Sequence, residues 1–132
     1  MANTAIYASP NQTSLSEVQK TMIAQLGAMH SYWRGEFGVQ MIIKEGEETL
    51  RFVCKFGRRK VNIDLVYDWG SDLYKIKALD VDAFTRYVVK MGTPTDKEWA
   101  EATAKATIYD AGDVFAEDLI DRFRDIASKV DE

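Results

Sequence analysis

The chain has 132 residues, 21 acidic and 17 basic side chains, a net charge of −4 and an apolar share of 46%, the balance of a soluble globular domain. That length holds one hydrophobic core and is too short for two domains, and no apolar run approaches the roughly 20 residues that a membrane span needs. A single cysteine and a single histidine, Cys54 and His30, exclude an internal disulfide and a Cys/His zinc set.

Residues 1 to 12 are small and polar and read as a loose leader to one α+β domain over residues 13 to 132. The leader lacks the basic and apolar regions of a secretory signal, so the expected compartment is cytoplasmic, with no membrane contact. Ser14-Leu15-Ser16-Glu17 matches a capping box at a helix start, and Leu15, Val18, Met22, Leu26 and Met29 follow at helical spacing as one apolar stripe.

Four runs of alternating polarity come next, as expected of strands with one buried face. Phe37, Val39, Met41 and Ile43 form the first inner set, followed by Leu50, Phe52, Cys54 and Phe56, then Val61, Ile63, Leu65 and Tyr67, and finally Tyr74, Ile76 and Ala78. Glycine-containing turns at 45–48, 57–60 and 70–71 separate them. A two-residue turn at Gly70-Ser71 sets Tyr67 opposite Tyr74, Leu65 opposite Ile76 and Asp64 opposite Lys77; continuing back sets Phe52 opposite Leu65 and Met41 opposite Phe52.

After the strands, Asp80 or Asp82 caps a short helix with Phe84, Val88 and Met91 on one side, ended by Gly92. Thr95 to Glu98 is a second capping box, opening a helix anchored by Trp99, Ala102 and Ala106. The run Asp110-Ala111-Gly112-Asp113 interrupts the pattern, and a last helix from about Val114 carries Phe115, Leu119, Phe123, Ile126 and Val130 as its buried stripe. The order α-β-β-β-β-α-α-α predicts a four-stranded antiparallel meander with helices packed on one face.

Chemistry-bearing motifs are sparse. The chain contains no Gly-x-Ser-x-Gly, no P-loop and no dinucleotide glycine fingerprint, so neither a catalytic residue nor a cofactor or metal ligand is assigned. Cys54 takes an inward parity and reads as core. Asp64 and Asp68 share an outer strand face near Lys75 and Lys77, which suits a carboxylate or metal site but equally suits cross-strand ion pairing.

Three surfaces suit binding. Ile42, Val53 and Val66 take the outward parity as an apolar patch, fitted to a protein partner or a homodimer. Asp110, Asp113, Glu117 and Asp121 fall at helical spacing as an acidic ridge on the last helix. Arg51, Lys55, Arg58, Arg59 and Lys60 make the outer face and one turn basic, which suits nucleic-acid phosphates. Charge follows the same division, with seven basic against five acidic groups over 31–67 and four against nine over 101–132. The expectation is a small non-enzymatic interaction or regulatory protein that binds another protein. Nucleic-acid binding through Arg58-Arg59-Lys60 is the alternative, and an enzyme with a site near Asp64 and Asp68 is the third.

Overall fold

The computed structural model describes residues 3–6, 15–26 and 38–130. Six strands form one antiparallel sheet in sequence order: β1 (Asn3–Ile6), β2 (Val39–Glu45), β3 (Thr49–Phe56), β4 (Arg59–Asp68), β5 (Leu73–Asp80) and β6 (Thr107–Val114). Among the described residues four helices accompany them: α1 (Glu17–Gln25), α2 (Val81–Met91), α3 (Asp96–Ala106) and α4 (Leu119–Val130), with a 3-10 turn at Ala116–Asp118. Among the described residues no helix is long and apolar enough to cross a membrane.

The α+β class and the central four strands agree with the sequence reading, and the sheet gains a strand at each edge. Residues 3–6, read as leader, pair with β2. At the other edge Thr107–Val114, read as a helix end and a break, pairs with β5 through Leu79 opposite Thr107 and Ala78 opposite Tyr109. Thr107, Ile108 and Tyr109 at its start and Val114 at its end carry strand propensity there. The acidic, glycine-containing remainder is tolerated because this is an edge, where charge and irregular pairing also discourage further strand addition.

Registers between β4 and β5 agree with expectation, Tyr67 lying opposite Tyr74 and Asp64 opposite Lys77. The connection is a four-residue loop, however, with Asp72 at a φ of 58° and its N–H bonded to Asp68 O at 2.9 Å. Gly57 and Arg58 alone separate β3 from β4, so Phe52 faces Ile63 rather than Leu65, a two-residue shift that keeps the same inner face.

β2 departs further. Val39 lies opposite Cys54 and Met41 opposite Val53, so Gln40 is an extra residue and a β-bulge reverses the parity that follows. Ile42 turns inward against Phe52 and is fully buried, whereas Met41, expected in the core, is 36% exposed. The apolar patch expected of Ile42, Val53 and Val66 therefore does not exist as drawn: Ile42 belongs to the core and the two valines are half-buried on the outer face. Gly38 opens the bulge at a φ of 54°, with its carbonyl accepting from Lys55 N at 2.9 Å.

Helices cover both faces, which corrects the one-sided arrangement. α1 and α4 close the inner face, where Met22, Leu26, Phe123 and Ile126 join Leu50, Phe52, Ile63, Leu65 and Ile76 in one core. Phe52 and Phe123 meet edge to face at 5.3 Å between ring centres. α2 follows β5 without a connecting residue and is capped by Asp80, so it departs on the outer side, toward which Leu79 and Val81 also point. None of its residues is fully buried, and α3 buries only Ala102 and Ala106.

The expected caps hold at Thr95 and Gly92. The first is displaced: Ser16 is the N-cap of α1 and its reciprocal partner is Gln19, while Ser14 lies outside the described residues.

Candidate functional site

The inner face ends, on the side of the β4–β5 loop, in a cleft of about 370 Å³ between α1, that loop and the segment joining β6 to α4. Tyr67 and Tyr74 form its floor, since both take the inward parity at facing positions of β4 and β5, with ring centres 5.6 Å apart. Trp69 stands on the loop, edge to face with Tyr67 at 5.0 Å, and is 63% exposed. Phe115 closes the opposite wall at 54% exposure; expected in the stripe of the last helix, it precedes α4 and points into the cleft instead.

Carboxylates from three segments rim these rings: Glu17 of α1, Asp72 of the loop and Glu117 of the 3-10 turn. Glu17 is 3.3 Å from Lys20, one turn along its helix. Among the described residues no lysine or arginine lines the cleft itself. The Tyr67 hydroxyl donates to the Asp72 carboxylate, which raises the phenol to about 12, with burial and the Asp72 charge adding to the shift. Tyr74 is also raised, first by burial and then by Asp72, and its hydroxyl donates to Gln25 Oε1. Both phenols remain protonated at neutral pH, serving as hydrogen-bond donors and as electron-rich faces rather than as bases.

α1 is held at this end by Gln19. Its amide nitrogen donates to Gly46 O at 3.1 Å and Thr49 O at 3.0 Å, its oxygen accepts from Ser16 N at 3.0 Å, and Ser16 Oγ reaches Glu47 O at 2.5 Å. Gln19 is fully buried, a polar residue set into the apolar face of its helix and paired at every side-chain hydrogen-bonding group used.

The expected acidic ridge is dispersed. Asp110 and Asp113 belong to β6, Glu117 to the 3-10 turn and Asp121 to α4. Asp110 pairs with Lys77 at 3.8 Å and Asp121 with Arg124 at 4.0 Å; Asp113 occupies a φ of 55°. Of the four, the aromatic cleft recruits Glu117 alone.

The basic set divides in the same way. Arg51 Nε and Nη2 grip Asp64 at 2.7 and 3.1 Å, and the same Nε lies 3.0 Å from Glu45. Because the Nε–H points at Asp64, Glu45 Oε1 is left without a hydrogen bond, and burial raises the Glu45 carboxyl despite the nearby arginine. Arg59 binds Asp80 and donates to Val130 O at 3.1 Å, tying the end of α4 to the sheet. Both arginines are engaged in internal ion pairs. Lys55, Arg58 and Lys60 remain exposed, and Lys55 lies directly opposite Lys60.

Asp64 and Asp68 are not drawn together. Four residues apart on one strand face, they are separated by ~13 Å. Asp64 is taken by Arg51, and Asp68 accepts from Gly70 N at 3.0 Å and Ser71 Oγ at 3.1 Å. Among the described residues no group of three or more metal-ligating side chains is gathered. Cys54 is buried and its thiol is pushed up to about 12 by that burial. His30 and Trp33 lie outside the described residues.

A second cavity, about 420 Å³, separates the outer face from the α2–α3 hairpin, whose Phe84 and Trp99 meet edge to face at 5.0 Å. Its charged floor is internally neutralised, Arg51 by Asp64 and Lys77 by Asp110. The aromatic cleft differs in combining exposed rings with an excess of one charge. Comparison with protein-family models, curated proteins and solved structures finds no significant match for this chain. The site is therefore read from its own geometry.

Proposed function

We propose that this chain is a non-enzymatic interaction protein that receives a cationic segment of a partner protein in the cleft of Tyr67, Trp69, Tyr74 and Phe115. The observation that carries the reading is the union, in one cleft, of those rings with Glu17, Asp72 and Glu117, with no lysine or arginine in the lining among the described residues. Ring faces attract a lysine or arginine head by about 0.5–1 kcal/mol at exposed positions, and surrounding carboxylates steer it there. The two phenols can hydrogen-bond an incoming backbone once they exchange their present partners.

The test is fluorescence anisotropy of a labelled lysine- and arginine-rich peptide, with an acidic peptide as control. Expected is saturable binding that weakens with salt, by about two- to fivefold in Trp69→Ala and further in Glu117→Lys. Equal affinity of both variants and the parent chain would remove the cleft from the reading.

A second reading, phosphate binding at the β3–β4 turn, draws on Lys55, Arg58 and Lys60 but loses Arg51 and Arg59 to internal ion pairs. An enzyme built on Asp64 and Asp68 draws least support, since Arg51 binds both oxygens of Asp64.

A further inference from the structure

The two ends of the sheet carry opposite charge. At one end lies the aromatic cleft with Glu17, Asp72 and Glu117. At the other, the two-residue turn of Gly57 and Arg58 sets Arg58 at the apex of the β3–β4 hairpin, one facing pair, Phe56 and Arg59, beyond Lys55 and Lys60. Like charges directly opposite across a ladder repel one another, so this hairpin end is stabilised by an anion placed between them. Among the described residues none of the three cations is in an ion pair, whereas the neighbouring Arg51 and Arg59 are.

We infer that the basic β3–β4 hairpin tip of one copy docks in the aromatic, acidic cleft of a second copy of this chain. The inference rests on the cleft's being a site for cationic groups. β4 runs from Arg59 at the tip to Asp68 beside the cleft loop, and its length of roughly 30 Å prevents a chain from filling its own cleft with its own tip. The contact is therefore between molecules, and it joins two different surfaces. Such a head-to-tail contact leaves a free tip and a free cleft on every dimer, so association continues into a closed ring or an open filament. Arg58 enters first, its planar guanidinium suited to stacking on Trp69 or Tyr67, while Lys55 and Lys60 meet the rim carboxylates.

Complementation of two variants tests this. In Arg58→Glu/Lys60→Glu the tip is reversed and the cleft intact; in Trp69→Ala/Glu117→Lys the cleft is impaired and the tip intact. Sedimentation velocity of the parent chain is expected to show mass rising with concentration and falling with salt. Each variant alone is expected to stay monomeric, and an equimolar mixture to form a one-to-one dimer and nothing larger, which also shows that both variants are folded. A parent chain that remains monomeric at high concentration and low salt overturns the inference, as does a mixture that yields no dimer or a variant that associates like the parent.

The basic peptide separates the two levels of the argument. If it binds the cleft while the parent chain stays monomeric, self-docking is wrong and cation recognition stands; if it does not bind, both fall. Nucleic acid that co-purifies with the parent chain and is lost from Arg58→Glu/Lys60→Glu, without self-association once it is removed, would assign the tip to phosphate instead.

Discussion

Replacing Gln19 by leucine keeps the volume and helical character of the side chain and removes three hydrogen bonds, to Gly46 O, Thr49 O and Ser16 N. A buried group stripped of its partner costs about 1–3 kcal/mol. Gly46 is exposed, so water can replace the amide there at little cost, while Thr49 and Ser16 are half-buried. The leucine regains part of the loss as apolar contact at a fully buried position. Weighing two affected groups against that gain gives a net destabilisation of about 1–3 kcal/mol. The assay is urea denaturation followed by far-ultraviolet circular dichroism, with a lowered midpoint and an unchanged slope. Gln19→Glu discriminates further, because a carboxylate cannot donate to either carbonyl and is pushed toward its protonated form. Its folded-state pKa is then raised, so its stability is greatest below the ordinary glutamate range and declines as pH rises through the folded value. A Gln19→Leu midpoint equal to or above that of the parent would refute the view that these bonds, rather than the apolar stripe of Leu15, Met22 and Leu26, lock α1 to the β2–β3 turn.

Asp80 supplies an opposite pH dependence. Burial alone would raise its carboxyl, but the hydrogen bond from Arg59, the amide of Ala83 and the arginine charge together lower it. Its contribution is present above the unfolded aspartate range and is lost as pH falls through the depressed folded value; in a series of urea midpoints from neutral to acid pH, Asp80→Asn should shrink the drop that the parent shows. At Gly38 an added Cβ would lie 2.0 Å from Lys55 O, at a φ of 54°. Gly38→Ala should therefore cost more than about 1 kcal/mol in the same denaturation assay, and a neutral result would mean that the bulge is not held as described.

Much of the architecture was legible because it is written in local periodicity. Strands β3, β4 and β5 repeat every second residue, α4 keeps Leu119, Phe123, Ile126 and Val130 on one side, and Thr95 and Glu98 sit at the spacing a capping box requires. Gln19 escaped notice because a polar residue within an apolar stripe gives no periodic signal; its partners lie in a turn about thirty residues away. Only a strict test of Ser16 against Ser14 as the cap, with Gln19 as the third helical residue, could have pointed to it.

The amino-acid order by itself determined the α+β class, the inward face of β3, β4 and β5 and the burial of Cys54, since each follows from residues a few positions apart. Tertiary structure alone decided the parity of β2, where one additional residue reverses the faces and sends Ile42 inward. It also made strands of 3–6 and 107–114, segments too short or too polar to declare themselves until a neighbouring strand offered its backbone groups. The cleft belongs to the same category. Glu17, Tyr67, Trp69, Tyr74, Phe115 and Glu117 come from three separate stretches of chain, and no local pattern records a site that exists only where distant segments meet.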